Sequence, residues 1–172
     1  MEKIFTNIPV RDIDENVFKQ IGVDWMLITA GMQDNFNTMT ASWGTMGILW
    51  NLPVAFCFVR PHRHTFEYME ASDFYTLCFL EDQYRNILQF CGTHSGKDVD
   101  KVRETGLVPL TTESGNIYYE QSKLVLECRK LYADWLTEDN FRVPNLAEKN
   151  YPKKDFHKFY IGEIISCLKM VL

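Results

Sequence analysis

The chain has 172 residues, of which 46% are hydrophobic and 24% charged, so it is long enough for one domain with a substantial core and too apolar to be disordered. The net charge of −5 disfavours a general nucleic-acid binder or a binder of anionic membranes, because both need a basic surface. Any anionic ligand must therefore be held by a local cluster of positive charge. No internal repeat or linker is visible, and we predict a single domain over residues 1–172.

Five cysteines are spread along the chain, and no two of them form a Cys-x-x-Cys pair. The pattern is typical neither of a disulfide framework nor of a zinc ribbon, so we expect buried thiols in a reducing compartment. The N-terminus lacks the apolar run of a signal peptide. The most apolar stretch, residues 47–59, is interrupted by Asn51 and Pro53 and is too short to cross a bilayer. These features predict a cytoplasmic protein.

The first half of the chain predicts a short helix, a turn and three extended segments. They are the helix 14–20 ending at Gly22, the strand 23–30, the turn 31–37, the extended run 38–43 and the strand 54–59 that Pro53 opens. The last of these is apolar on both faces, which is typical of a strand inside a covered or closed sheet.

The second half predicts three helices and three strands. They are the helices 65–71 with Thr65 as N-cap, 82–90, and 99–104 between a cap at Asp98 and a stop at Gly106, and the strands 74–80, 123–136 and 159–170. Gly162 inside the last strand predicts a bulge or a close contact. Many strands and few short helices, without regular alternation, predict a mainly β fold: a β-barrel with helical excursions.

Several sequence motifs that identify common enzyme classes are missing from the chain. No Gly-x-Gly-x-x-Gly follows a predicted strand, and there is no Walker-type Gly-Lys-Thr loop, which disfavours a dinucleotide fold and an NTPase. The lack of a Gly-x-Ser-x-Gly elbow weakens the hypothesis of a serine hydrolase.

The run Arg-Pro-His-Arg-His-Thr follows a predicted strand and leads into a predicted helix. Arg60, Arg63 and Thr65 combine guanidinium groups and a hydroxyl with the free backbone N–H groups of a helix start. This combination suits a terminal phosphate. In the alternative interpretation Thr65 only caps the helix and the arginines are solvated.

Two histidines of the same run, His62 and His64, suggest a metal site in which His94 or His157 supplies a third ligand. No carboxylate stands at a useful spacing, so metal binding is the weaker hypothesis and we predict no metal.

A glycine-punctuated loop, residues 91–98, precedes the helix that carries Lys101. Functional loops have this composition, as do ordinary turns between helices. Cys91 could act as a nucleophile, but a buried thiol at a helix end is the favoured interpretation.

The run Asn-Thr-Met-Thr-Ala-Ser-Trp-Gly, residues 37–44, places small hydroxyl side chains beside a tryptophan. Such a run lets a flat heteroaromatic lie against exposed backbone while N–H and C=O groups recognise its edge. From the sequence alone, a Thr-rich strand with one core Trp is the simpler alternative.

The order of these segments carries more information than any one of them. The heteroaromatic run, the proline-led strand, the phosphate run and then the segment Cys-Gly-x-x-Ser-Gly-Lys-Asp-Val-Asp-Lys at 91–101 closely resemble the flavin reductase-like family, which includes flavoredoxins. Residues 126–128 and 157–164 look like later landmarks of that family. The similarity covers residues 23–168, with residues 1–22 as an N-terminal extension and 137–154 as a variable covering loop.

The resemblance implies an FMN-binding split β-barrel that forms a homodimer, with one FMN per subunit near the dimer interface. It implies these cofactor-binding residues: Asn37, Met39, Thr40, Ala41, Ser42, Trp43, Gly44, Arg60, Arg63, His64, Thr65, Ser95, Lys97, Lys101 and His157. Residues 39–44 would follow the isoalloxazine, and Arg63 and Thr65 would hold the phosphate with help from His64 or Arg60. The loop 95–101 and His157 would approach the cofactor, from a subunit that the sequence does not specify.

The resemblance further implies an NAD(P)H-dependent oxidoreductase that passes electrons through FMN to an acceptor. Reduced flavin is anionic, so a positive group or aimed N–H donors would stabilise it, and Lys101 and His157 are the candidate catalytic residues. One alternative is a flavoredoxin-type electron-transfer protein with a protein redox partner. Another is a small-molecule-binding barrel without redox turnover, because fold alone does not determine function.

Overall fold

A computed structural model describes residues 4–171, and most of this part of the chain is β-structure. Its strands are β1 (Ile4–Asn7), β2 (Met26–Met32), β3 (Asn35–Ala41), β4 (Gly44–Leu49), β5 (Leu52–Val59), β6 (Phe74–Leu80), β7 (Pro109–Thr111), β8 (Ile117–Tyr119), β9 (Ser122–Trp135) and β10 (Lys158–Val171). The α-helices are short: α1 (Val17–Lys19), α2 (Thr65–Ala71), α3 (Arg85–Thr93), α4 (Lys101–Thr105) and α5 (Leu146–Asn150). A π-helical turn, Gln20–Asp24, extends α1.

Eight strands form one antiparallel sheet in the order β3-β2-β6-β9-β10-β5-β4, and β1 pairs with the end of β10. The two outermost strands of this order, β3 and β4, are consecutive in the chain, and only Ser42 and Trp43 separate them. A link this short cannot span an open sheet, so the sheet curls until its two edges meet. The result is a barrel, as predicted from the sequence, and its seam lies between β3 and the unpredicted strand β4.

Two apolar clusters hold the barrel together. The inner one fills the barrel with alternate strand residues, such as Met26, Ile28, Leu77 and Leu126. The outer one uses the intervening residues, which face helix α3 and the β7–β8 hairpin: Leu27, Cys78 and Val125 pack with Ile87, Leu88 and Tyr119. Successive strand residues point to opposite faces, so a strand that serves both clusters must be apolar throughout. This explains the continuous apolar run of β6.

Several sequence predictions are confirmed. Strand β6 and helix α2 have the predicted bounds, and β5, β9 and β10 differ from them by one or two residues at an end. The register of β10 against β9 shifts between Ile161 and Gly162, which confirms the predicted bulge. All five cysteines are buried and free. No helix within residues 4–171 is long and apolar enough to cross a membrane.

Near the N-terminus the sequence prediction was wrong in detail. The π-helical turn carries the chain to Asp24, where a helix ending at Gly22 was expected, and Trp25 (φ 68°) then redirects it into β2. The predicted turn 31–37 is mostly strand, because β2 and β3 form a tight hairpin whose pairing extends to Met32 and Asn35.

Both predicted helix caps were also wrong. His64 precedes the first residue of α2, so Thr65 lies inside the helix and its hydroxyl accepts a hydrogen bond from the Asn37 amide. Helix α4 starts two residues later than expected, and Asp100, not Asp98, accepts the capping bond from the Arg103 amide. Gly106 ends this helix in the left-handed conformation, as predicted.

Candidate functional site

A cavity of about 300 Å³, here called the seam cavity, opens where β3 gives way to β4. It is lined by Met39, Thr40, Ala41, Ser42, Trp43, Phe58, Arg60, His62, Arg63 and His157. Strands β3 and β4 each pair on one side only. Their other edges, and the two residues between them, therefore offer backbone N–H and C=O groups that the sheet does not use. The seam can bind the polar edge of a planar ring through main chain alone.

Aromatic side chains form the apolar walls of the seam cavity. Trp43 is 45% exposed, and its ring centroid lies 5.1 Å from that of His157. The Phe58 ring stands edge-on to the imidazole at 6.3 Å. A flat ligand would contact ring faces and edges here, which are favoured geometries for aromatic packing.

His157, the imidazole in this wall, is only 8% exposed. Its Nδ1 lies 2.8 Å from the hydroxyl of Tyr151. Burial, together with the positive charge of Arg60, lowers the pKa of His157 to about 4. The imidazole is therefore neutral at neutral pH, and it can offer the cavity an N–H group or a lone pair but no charge.

A second cavity of about 260 Å³, here called the cation cavity, shares His62 and Arg63 with the seam cavity. Its other lining residues are His64, Thr65, Thr93, His94, Ser95, Gly96 and Lys101. The shared residues make the two cavities neighbours, with the polar seam at one end and a group of cationic and hydroxyl side chains at the other.

A buried cation, Lys101, and a partly buried one, Arg63, lie in the wall of the cation cavity. The Lys101 ammonium donates to the carbonyls of Thr38 (2.7 Å) and Cys91 (3.0 Å). Arg63 donates to the carbonyls of Gly92 (2.8 Å) and Cys91 (3.3 Å). Both cations thus reach the same carbonyl, and each keeps N–H groups to spare because an ammonium has three and a guanidinium five.

No carboxylate within residues 4–171 forms an ion pair with Arg63 or Lys101. Burial lowers the pKa of both groups, and in Lys101, where the neighbouring Arg63 adds to the effect, the pKa falls to about 8. Two desolvated cations without a counter-charge are costly for a folded protein. An anion bound between them would remove that cost.

The hydroxyl of Thr65 is fixed at the edge of the cation cavity by the side chain of Asn37. Asn37 Nδ2 donates to Thr65 Oγ1 at 2.8 Å, which leaves the threonine O–H free to donate elsewhere. A Cβ at position 96 would collide with the same amide, so Gly96 lets the loop pack against Asn37. The buried Nδ1 of His64 has no hydrogen bond, and its nearest charged group is the Glu67 carboxylate at 3.6 Å.

Three predicted cofactor-binding residues either are engaged by other protein groups or lie outside both cavities. Arg60 lines the seam cavity, but its guanidinium is engaged by the Asp155 carboxylate (2.5 Å) and the Asn150 carbonyl (2.9 Å). Lys97 forms an ion pair with Glu67 (2.7 Å) and lines a separate cleft of about 760 Å³. Gly44 begins β4, where a Cβ would come within 2.7 Å of the Phe56 carbonyl oxygen, and it lines neither cavity.

Two alternatives raised by the sequence find no support in the geometry. No group of three or more His, Cys, Asp or Glu side chains within residues 4–171 is arranged to hold a metal ion. Burial raises the pKa of the Cys91 thiol to about 11, so at neutral pH it is protonated and weakly nucleophilic.

Sequence reasoning missed Phe58, Tyr151 and Asp155, which line or support the seam cavity. Phe58 was visible only as part of an apolar strand. Tyr151 and Asp155 lie in or beside the stretch 137–154, whose sequence matches no motif, and their contacts depend on how that stretch folds back.

Comparison with known proteins agrees with this geometry. The model of the flavin reductase-like domain family matches residues 18–168. A search of curated protein sequences found no significant match.

Three of the similar solved structures indicate the fold. An FMN-binding domain of a flavin reductase-like enzyme from Shewanella baltica has a TM-score of 0.69 at 14% identity, over 98% of this chain and 78% of that one. Flavoredoxin from Methanosarcina acetivorans has 0.64 at 21% identity, over 93% and 75%. An NADH:FAD oxidoreductase from Streptomyces globisporus has 0.65 at 17% identity, over 85% and 75%. At these identities the likeness establishes a shared architecture and no more.

Proposed function

The chain belongs to the flavin reductase-like family, and from that membership we propose that it binds FMN and passes electrons from NAD(P)H through the flavin to an acceptor. The observation that carries the proposal is the pair of neighbouring cavities. One is a slot with free strand edges and aromatic walls, and the other has a buried lysine and a partly buried arginine that lack a carboxylate partner within residues 4–171.

The residues present fit both halves of FMN. The seam would take the isoalloxazine, whose edge carries N–H and C=O groups that pair with main chain along residues 39–43. The cation cavity would take the phosphate, a dianion, between Arg63 and Lys101 with the Thr65 and Ser95 hydroxyls beside it. Lys101 thereby becomes a phosphate ligand in this proposal, and not the group that stabilises reduced flavin.

Bound FMN would supply the redox chemistry, and the protein would supply position, electrostatics and exclusion of water. The seam backbone orients the ring, while Trp43 and Phe58 shield it from solvent. His157 is neutral, so of the two expected contributions, a positive charge or an N–H donor, it would supply the N–H donor. Arg60 holds the predicted covering loop, residues 137–154 and from here on called the covering segment, in place. It binds Asn150 within the segment and Asp155 directly after it.

We further propose that the protein is a homodimer, supported by an uncovered apolar surface near the seam. Trp43, Tyr132 and Trp135 are all more than 40% exposed, as is Ile48 on β4. Exposed aromatic residues are enriched at protein interfaces. A second subunit on this face would close the mouth of the seam cavity. The buried free thiols fit a reducing compartment, and a cytoplasmic location stays a prediction.

The proposal is tested by the absorption spectrum of the purified protein, reconstituted with FMN if it is colourless, followed by anaerobic mixing with NADH and with NADPH. We expect a bound-flavin spectrum and bleaching of the flavin band by one or both nucleotides. A bound flavin that neither nucleotide bleaches would indicate the flavoredoxin-type carrier with a protein donor. Failure to bind FMN at micromolar concentration would contradict the proposal and favour a barrel without redox turnover.

We predict that affinity for FMN falls above pH 8. Lys101 has a pKa of about 8, so it is charged below that pH and loses its proton above it. The phosphate prefers charged lysine, and binding must then take up a proton, so the Kd should rise by up to about tenfold per pH unit above pH 8. Fluorescence titration at pH 6.5 to 9.5 measures this slope.

The control for this prediction is the Lys101→Met variant. It should bind FMN more weakly, and its Kd should no longer rise with pH above pH 8. Riboflavin, which lacks the phosphate, should show no Lys101-dependent slope in either protein. An equal slope for riboflavin and FMN would place the titrating group at the ring and contradict the assignment of Lys101.

A further inference from the structure

Tyr151, in the covering segment, contacts one of the side chains that line the seam cavity, His157. Its hydroxyl lies 2.8 Å from His157 Nδ1, and the two rings are nearly perpendicular at 79°. Both residues are buried, and the contact joins residues only six apart in sequence across the turn between α5 and β10. This stretch of the chain matched no motif.

Tyr151 is held firmly in this position. Arg60 lies over its ring at 5.1 Å from the centroid and binds the chain on both sides, at the Asn150 carbonyl and the Asp155 carboxylate. The rings of Phe141 and Phe156 pack against Tyr151 at 6.0 Å and 4.8 Å between centroids. The phenol therefore has little freedom to turn away from the imidazole.

We propose that Tyr151 is a positioning residue that donates its O–H to Nδ1 of His157 and so fixes the imidazole proton on Nε2, facing the seam cavity. A phenol is a good donor and a weaker acceptor, because its oxygen lone pair is delocalised into the ring, which favours this direction of the bond. Nε2 has no protein hydrogen-bond partner within residues 4–171 and is not sealed from solvent. Since the imidazole lines the seam cavity, Nε2 is the atom that a ligand can meet.

The charged groups around His157 favour the same neutral state. Arg60 opposes a positive imidazole, as does His62 when protonated. Asp155 favours a positive imidazole, but its carboxylate is engaged by Arg60. A free histidine would switch between donor and acceptor near pH 6.5. Here the cavity would present a permanent N–H donor across the neutral range.

The consequence for binding rests on the proposed function. A fixed N–H donor recognises an acceptor atom, such as a carbonyl oxygen of the flavin ring or of a substrate lying on it, and disfavours a ligand that offers a donor there. The covering segment would then select ligands by fixing the tautomer of His157, in addition to any contact that the segment itself makes with the ligand.

The test is the tautomer of His157 in the wild-type protein, read from the ¹⁵N shifts of its two ring nitrogens in two-dimensional NMR between pH 5.5 and 8. Assignment uses His157→Gln, because the chain has four histidines. We expect a protonated Nε2 and an unprotonated Nδ1 without titration in this range. A dominant Nδ1–H form, or titration near pH 6.5, would overturn the proposal without any variant being made.

Tyr151→Phe removes only the hydroxyl. We expect a mixture of the two tautomers, because the bond that held the proton on Nε2 is gone, and the pKa of His157 should rise only in part, since burial and Arg60 still act on it. Tyr118→Phe is the matched control: Tyr118 is also buried, packs on Phe5 in the outer cluster, and should leave the His157 spectrum unchanged. An unchanged tautomer in Tyr151→Phe would contradict the proposal.

A second readout is the pH profile of flavin reduction. In the Tyr151→Phe variant the reduction of flavin should be about fivefold slower at pH 7, the size expected for one hydrogen bond. Because the pKa of His157 rises in part, the rate should also acquire a dependence on pH at the acid end of the range, below about pH 6, that the wild type lacks. A uniform loss at every pH would indicate a merely structural role. If the protein binds no flavin, the proposed function fails, but the NMR experiment still decides the role of Tyr151.

Discussion

Replacing Arg63 with alanine should weaken FMN binding by about 10- to 100-fold and leave riboflavin binding nearly unchanged. A charge-assisted hydrogen bond contributes about 1.5–3 kcal/mol, and each 1.4 kcal/mol corresponds to a factor of ten. Arg63 lines both cavities and has no carboxylate partner within residues 4–171, so a phosphate would be its principal counter-charge. Titration of flavin fluorescence with both ligands measures the two dissociation constants.

The comparison of the two ligands makes the result specific. Arg63 also donates to the carbonyls of Cys91 and Gly92, so its loss could loosen the end of helix α3. Such damage would weaken the binding of FMN and of riboflavin alike, whereas loss of a phosphate contact weakens the binding of FMN only. Arg103→Ala is the matched control, because Arg103 carries the same charge on α4 but is exposed. Equal weakening of riboflavin and FMN by Arg63→Ala would contradict the proposed orientation of the flavin.

The sequence predicted the candidate site where local pattern and chain order were sufficient. The residues that follow β5 and those at the end of β3 were noticed for their composition, and they were assigned to one site because their order along the chain resembles the flavin reductase-like family. Their convergence follows from the barrel, in which β3 and the start of α2 are neighbours through the Asn37–Thr65 bond. That bond joins residues 28 apart, and no periodicity in the chain encodes it.

The sequence could not predict which cations are free. Arg60, Arg63, Lys97 and Lys101 look alike in a motif, since all are basic residues in or near loops. The fold pairs Arg60 with Asp155 and Lys97 with Glu67, and within residues 4–171 it leaves Arg63 and Lys101 without a carboxylate. Asp155 lies 95 positions from Arg60, so only the tertiary structure separates a structural arginine from a ligand-binding one.

Strand β4 escaped prediction for a related reason. Gly44–Leu49 contains two glycines and belongs to a long apolar stretch, so neither alternation nor propensity marked it as a separate strand. Its pairing with β5 is local, but its role as the second edge of the seam depends on the closure of the whole sheet. The free backbone edge that defines the seam cavity is therefore a property of topology.

Replacing Gly162 with alanine should destabilise the barrel by about 3 kcal/mol, the upper end for an overpacked core, and lower Tm by roughly 6–12 °C. Gly162 lies at the bulge of β10, between β5 and β9, where a Cβ would collide with the Tyr75 hydroxyl and approach Cys128 Cβ at 2.9 Å. Neither obstacle can move easily, because Tyr75 is buried in the inner cluster and a Cβ is fixed to the backbone. Thermal and urea unfolding measure the loss.

Gly47→Ala provides the matched control, since Gly47 also lies in a strand but a Cβ there meets nothing within 4 Å. That substitution should change stability little or raise it slightly, by restricting the unfolded chain.

A double variant separates the two collisions at Gly162. The Tyr75 hydroxyl lies near the thiols of Cys57 and Cys128 without a well-formed hydrogen bond, so Tyr75→Phe alone should cost little. Combined with Gly162→Ala it should recover part of the lost stability, because the ring then ends short of the new methyl group. The stability that is not recovered is the cost of the contact with Cys128 Cβ. If Tyr75→Phe recovers no stability, the collision with Cys128 Cβ of β9 dominates. If Gly162→Ala costs as little stability as Gly47→Ala, the close packing assigned to the bulge is wrong.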